Sequence, residues 1–263
     1  PVDLVALLEE MFAEMGGELR GAAGEDAGAA AVDDGLVEVL LEDDPQATMT
    51  AMMTALRDGL APVALAQTVA YAAALRIARF HTSNEFGDWD TALHTFTFAN
   101  AIHQGMRRAP SVELLRGVFD AAMSIYLDRF LNIPAARIPT ANGQTPDDAA
   151  ALDELRALLD RQQQVNQAAR VLADYAYGGG DHAALLAQLG ALLLREDRDF
   201  HTIQCVEAAM RQHELLDGNP VAQTHVLIAA IRYLAAHAPT VRAQGQTYRI
   251  ASRLHRGEEL FEG

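Results

Sequence analysis

Ala64-Leu65 through Phe80-His81-Thr82 recurs downstream as Ala184-Leu185 through Phe200-His201-Thr202, with no gap between the matched ends. After an indel the register resumes, with His103 to Pro110 opposite His213 to Pro220. A repeat of this period fixes architecture before any other reading, because each copy is one structural unit. It predicts an all-α fold: a duplicated helical bundle with pseudo-twofold symmetry, His81 and His201 at equivalent positions near the axis. Five segments follow. Residues 1–44 hold an N-terminal helix and an acidic Gly/Ala-rich loop, 45–137 the first helical repeat and 138–147 a linker. Residues 148–240 form the second repeat and 241–263 a C-terminal helix.

Working outward from the repeat, Leu4, Leu7, Leu8 and Met11 keep a helical spacing over residues 3–15, and Leu36 to Leu41 reads as a short helix. Gly16 to Ala31 reads as a loop, and Gly178-Gly179-Gly180 as a helix break. The arginine-rich stretch 247–261 reads as a last surface helix. Residues 61–80 are the most apolar run, yet Gln67, Arg76 and Arg79 interrupt it. That is too short and too polar for a membrane span, and predicts a buried central helix.

The chain has 263 residues, enough for a large core, and a formal charge of −16. Such an acidic balance disfavours nucleic acid and anionic membranes, which call for basic patches. All 20 basic residues are arginine, which removes Schiff-base chemistry and a P-loop lysine. The single cysteine, Cys205, excludes an internal disulfide, a Cys-x-x-Cys pair and a self-contained iron–sulfur cluster, and fits a reducing cytoplasm. No secretory signal is visible at Pro1-Val2-Asp3, and a start at proline is expected of a piece of a longer chain.

The chemistry is expected at the histidines. On a helix near Trp89, successive residues turn by about 100°. His94 then shares a face with Phe98, Ala101 and Gly105 and is expected to point inward; His103 lies opposite and is expected in solvent. In the second repeat His201, Gln204 and Glu207 fall within an arc of about 120°. An imidazole, an amide oxygen and a carboxylate suit iron, manganese or zinc. Asp90 and Asp197 each precede a histidine by four residues, as orienting carboxylates do. The candidate ligands are therefore His81, His94, His201, Gln204, Glu207 and His225, with iron the expected metal or a haem on one histidine. The competing reading makes Asp88 and Asp90 helix caps, pairs Glu207 with Arg211 at i+4, and makes His94 a core histidine. Phe96, Phe98, Phe119, Ile125 and Tyr126 either line an aromatic or acyl pocket or fill the core. No Glu-x-x-His pair, His-Glu-x-x-His, Gly-x-Ser-x-Gly or strand-borne Gly-x-Gly-x-x-Gly is found.

Arg76-Ile-Ala-Arg-Phe-His81, Asp88-Trp-Asp-Thr91, Ala99-Asn-Ala-Ile-His103 and Tyr126-Leu-Asp-Arg-Phe-Leu-Asn132-Ile-Pro-Ala-Ala136 resemble a helical region that accompanies Rieske-type [2Fe–2S] domains in actinobacterial proteins. The likeness covers much of residues 60–137, with an echo at Tyr248 to Gly257. It implies a Rieske-type iron–sulfur partner that delivers single electrons. Gly59 to Gln67 and Asn132 to Ala136 are similar in style to the carboxymuconolactone decarboxylase and alkylhydroperoxidase-D class, which is also duplicated and helical. The peroxidase branch needs a Cys-x-x-Cys pair, so that likeness implies a metal-free acid–base enzyme, with His94 as base assisted by Glu207 or Asp90.

The leading expectation is a metal- or haem-dependent oxidoreductase that activates dioxygen for a small-molecule substrate. The rival is a non-catalytic helical binding or dimerisation module whose histidines satisfy the core.

Overall fold

The computed structural model describes residues 2–15, 32–143 and 147–258. Among them the chain forms α1 (Leu4–Met15), α2 (Asp34–Leu41), α3 (Pro45–Arg57), α4 (Pro62–Ala78), α5 (Phe86–Arg108) and α6 (Val112–Leu127), which runs into a 3₁₀ turn (Asp128–Asn132). There follow α7 (Asp148–Leu158), α8 (Val165–Tyr177), α9 (His182–Arg195), α10 (Phe200–Leu215), α11 (Pro220–His237) and α12 (Ala243–His255). No strand occurs among the described residues, so the fold is all-α. Among the described residues no helix is long and apolar enough to cross a membrane. The loop expected at Gly16 to Ala31 lies outside the described residues.

Local signals in the sequence explain these boundaries. Asp33, Asp44, Ser111, Asp147 and Asp181 each accept a backbone N–H in the first turn of the helix that follows. Pro45 and Pro62 open α3 and α4, where a missing N–H costs nothing. Asp88 reaches back to the Glu85 N–H at 2.9 Å, so α5 begins at Phe86, three residues before Trp89. The glycine run ends α8 at Tyr177 and precedes α9.

The chain gathers into two compact units. One comprises residues 1–138 and 207–230, the other 139–206 and 231–263, so α10 and α11 each contribute to both. In the first unit α4 is the centre: every residue but Val63 is buried, as its apolar sequence predicts. It packs against α2, α5 and α6. Gly117 admits α6 to α5, since a Cβ there would lie 2.8 Å from the Ile102 side chain. The one charge buried along α4, Arg76, is fully engaged. It donates to the carbonyls of Leu41 and Ile125 at 3.1 and 3.2 Å and to Asn132, which donates back to the Arg76 carbonyl. Beside it Asp128 accepts from the Thr95 hydroxyl at 2.6 Å. Burial pulls the Arg76 guanidinium down to about 10 and pushes the Asp128 carboxyl up to about 6.

The second unit is built on Leu155, Leu172, Tyr175, Leu185 and Leu189, all at or near zero exposure, together with the thiol of Cys205. Its polar centre is Glu196. That carboxylate accepts from the backbone N–H and hydroxyl of Thr240 at 2.8 and 2.9 Å and from two guanidinium nitrogens of Arg242. These bonds, with Arg242 foremost, hold Glu196 below the usual carboxylate range against the opposing effect of its burial.

Helix starts keep the register of the quoted repeat. α3 and α8 are both 13 residues long and begin at positions 45 and 165, and α4 and α9 begin at 62 and 182. The correspondence stops at the histidines. His81 lies in the turn after α4, whereas His201 is the second residue of α10.

Candidate functional site

The helical phase of α5 is the reverse of the one expected. Its inward face carries Leu93, Phe96, Ala99, Asn100, His103 and Met106; His94, Phe98 and Ala101 are exposed. Leu93, Phe96 and Met106 outweigh the smaller residues around His94, so burial of the larger apolar stripe sets the rotation. His94 is therefore corrected from inward to exposed, and His103 from solvated to buried at 1 % exposure.

A buried His103 needs a partner, and Gln212 on α10 supplies it. The Gln212 amide nitrogen donates to Asn100 Oδ1 at 2.8 Å and meets His103 Nδ1 at 3.1 Å. With Nδ1 accepting, the imidazole carries its proton on Nε2. Burial, with Arg107 adding to it, lowers His103 to about 4, so the ring is neutral at physiological pH.

The same segment, residues 207–230, makes two more polar contacts with α4. Gln67 donates to the Leu215 carbonyl at 2.8 Å, and the Tyr71 hydroxyl hydrogen-bonds His225 Nδ1 at 2.7 Å. The Tyr71 and His225 rings lie parallel, their centroids 6.1 Å apart. Burial, then the charge of Arg79, lowers His225 to about 4. Tyr71 and Gln67 are one helical turn apart on α4, and Asn100 and His103 three residues apart on α5. Together they form a polar seam inside the first unit, two of whose members are neutral imidazoles with Nδ1 engaged. Chemically, His103 Nε2 is left to donate its proton, whereas His225 Nε2 donates when Nδ1 accepts from Tyr71 and accepts or ligates when Nδ1 donates to it.

The other candidates are placed differently. His81 is partly exposed in the turn after α4, where its backbone N–H donates to Asn84. His201 is partly exposed at the start of α10, against the Phe200 ring and 3.7 Å from the Asp199 carboxylate. Asp197 does not orient His201; it accepts the backbone N–H groups of Ala243 and Gln244, both at 2.9 Å. Gln204 and Glu207 lie on the exposed side of α10, and Glu207 pairs with Arg211 at 3.5 Å. Asp90 is partly exposed in the second turn of α5. Phe96, Phe119 and Ile125 fill the core of the first unit. Among the described residues no three or more His, Cys, Asp or Glu side chains form a group able to hold a metal ion. His225 is thus the one expected ligand inside the seam. Tyr71, Gln67, Asn100 and Gln212 carried no sequence signal, because an isolated tyrosine or amide on a helix has no motif.

No family model, curated protein or solved structure matches the chain.

Proposed function

We propose that this chain is a non-catalytic helical interaction module in which the buried histidines are hydrogen-bonding parts of the core. The supporting observation is the seam itself. His103 and His225 each commit Nδ1 to a side chain on another helix, and each is held neutral with its ring lowered to about 4. A base that weak is poorly matched to proton transfer near neutrality, where a catalytic group needs a value close to the working pH. As neutral cross-links between α4, α5 and residues 207–230, the two imidazoles satisfy each other's helices without burying a charge.

A second reading has one specific support. An imidazole whose Nδ1 is anchored by a tyrosine hydroxyl is oriented as ligand histidines are, and His225 has this arrangement. In that reading His225 Nε2 holds a haem or a single iron, and the likeness to Rieske-associated helical regions supplies the electron donor.

Metal analysis and an absorption spectrum of the purified protein separate the two. The module reading expects a colourless protein with substoichiometric metal, and His225→Ala changing only stability. Stoichiometric iron or a haem band, lost in His225→Ala while folding persists, overturns it.

A further inference from the structure

An asparagine loses its side-chain amide when the backbone nitrogen of the next residue attacks its side-chain carbonyl carbon. That attack needs an N–H able to shed its proton, a following residue with little bulk, and a backbone free to bring the two atoms together. The chain has six asparagines, and the residues after them differ in this respect. Asn84, Asn100, Asn132 and Asn166 precede Glu85, Ala101, Ile133 and Gln167, whose β-carbons shield the nitrogen. Asn219 precedes Pro220, which has no N–H. Asn142 alone precedes a glycine, Gly143.

The fold sharpens the contrast. Asn100 and Asn166 lie within α5 and α8, where the backbone is fixed. Asn132 is buried and bonded in both directions to Arg76. Asn84 donates to the Leu131 carbonyl at 2.9 Å, and Asn219 accepts the Ala222 N–H at the start of α11 at 3.0 Å. Asn142 lies outside every helix, in the stretch by which the chain enters the second unit, and residues 141–143 are exposed. Gly143 sits in the left-handed region at φ 74°, and a β-carbon there would meet nothing within 4 Å. On one side the Thr140 carbonyl accepts from Arg170 at 3.3 Å, and on the other Asp147 caps α7.

We propose that Asn142–Gly143 is a self-modification site at which the chain deamidates spontaneously. The Gly143 nitrogen gives up its proton and bonds to Asn142 Cγ, and the side-chain amide nitrogen leaves with a proton as ammonia. The product is a five-membered succinimide. Water then adds across one of the two carbonyl–nitrogen bonds of the ring. Opening at the backbone carbonyl of residue 142 leaves isoaspartate, with the main chain routed through the side-chain carbon and longer by one methylene. Opening at the former side-chain carbonyl leaves aspartate. Water is the sole co-reactant, and the oxidation state of every atom is unchanged. Each event adds one negative charge to a chain already at −16, close before Asp147 and Asp148.

Incubation of the full chain in warm, mildly alkaline buffer, followed by tryptic digestion and mass spectrometry, tests it. Cleavage after Arg137 and Arg156 releases residues 138–156, in which Asn142 is the sole asparagine. The mass increment of amide-to-acid conversion is expected in that peptide first, with isoaspartate exceeding aspartate. The rate is expected to rise severalfold with each pH unit, as the attacking nitrogen sheds its proton more readily. In urea the rate at Asn142 is expected to stay where it was, because the fold does not shield it, while the rates at Asn100 and Asn132 rise. Gly143→Ala is expected to slow the conversion by about an order of magnitude, since a β-carbon then shields the nitrogen. Asn142→Gln is expected to abolish it over the same period, and both variants are expected to keep native circular dichroism. An Asn142 that stays intact, one that converts only in urea, or conversion undiminished in Gly143→Ala would each overturn the proposal. The measurements on the wild type need no variant to fold, and none of these outcomes bears on metal content or on the module reading.

Discussion

Tyr71 Oη and His225 Nδ1 lie 2.7 Å apart, joining residues 154 positions apart in sequence and fastening α4 to α11 within the first unit. The pair is partly buried, so neither group regains a full water shell if the other is removed.

Tyr71→Phe is expected to destabilise the protein by about 1–3 kcal/mol, the cost of leaving a partly buried polar group unmatched. The urea midpoint should fall with the slope unchanged. Tyr71→Phe/His225→Phe together should cost less than the sum of the two single changes, because the pair is then removed whole. Additive losses would mean that the hydrogen bond carries no coupling.

His94→Leu and His103→Leu should separate sharply. His94 is exposed, so its replacement is expected to stay within about 0.5 kcal/mol of wild type. His103→Leu strips Gln212 of a buried partner and is expected to cost about 1–3 kcal/mol. Thermal melts of the two variants side by side decide the point; equal effects would contradict the rotation of α5.

Stability is expected to rise with pH between about 4 and 6.5. His103 and His225 sit at about 4 in the folded state, below the ordinary histidine value. The unfolded chain therefore binds more protons in that window, and the stabilisation is complete above it and lost as pH falls through it. Each ring contributes on the order of 3 kcal/mol at most. Asp128, raised to about 6, acts in the opposite sense and offsets part of the rise. Urea midpoints at pH 4.5, 5.5 and 6.5 should increase in that order, and more steeply in Asp128→Asn. A flat profile in Asp128→Asn would show that both rings are solvated.

How much of this was legible in the sequence depends on which residues carried a pattern. The all-α class and the buried α4 followed from apolar spacing. The orientation of α5 did not, because His94 and His103 both have apolar neighbours at helical spacing. Only the greater bulk of Leu93, Phe96 and Met106 decides the rotation. The seam was illegible for another reason. Gln67, Tyr71, Asn100 and Gln212 meet through tertiary contacts more than 100 residues apart across its bonds, and one sequence holds no record of such pairings.

Glu196→Gln is expected to loosen the base of α12 by about 1.5–3 kcal/mol, since it converts charge-assisted bonds from Arg242 and Thr240 into neutral ones. Hydrogen exchange should report it locally. The amides of Ala243 and Gln244, which point at Asp197, are expected to exchange faster while those of α4 keep their protection. Uniform loss across both would make the effect global.

The enclosed thiol of Cys205 gives the molecule a built-in gauge of its own opening. It is the chain's sole cysteine, it has no exposed surface, and burial pushes its pKa up, so the reactive thiolate is suppressed in the native state. A maleimide or disulfide reagent can label it only when the second unit breathes. Labelling rates over a denaturant series then time the opening of the core around α10, without an added probe.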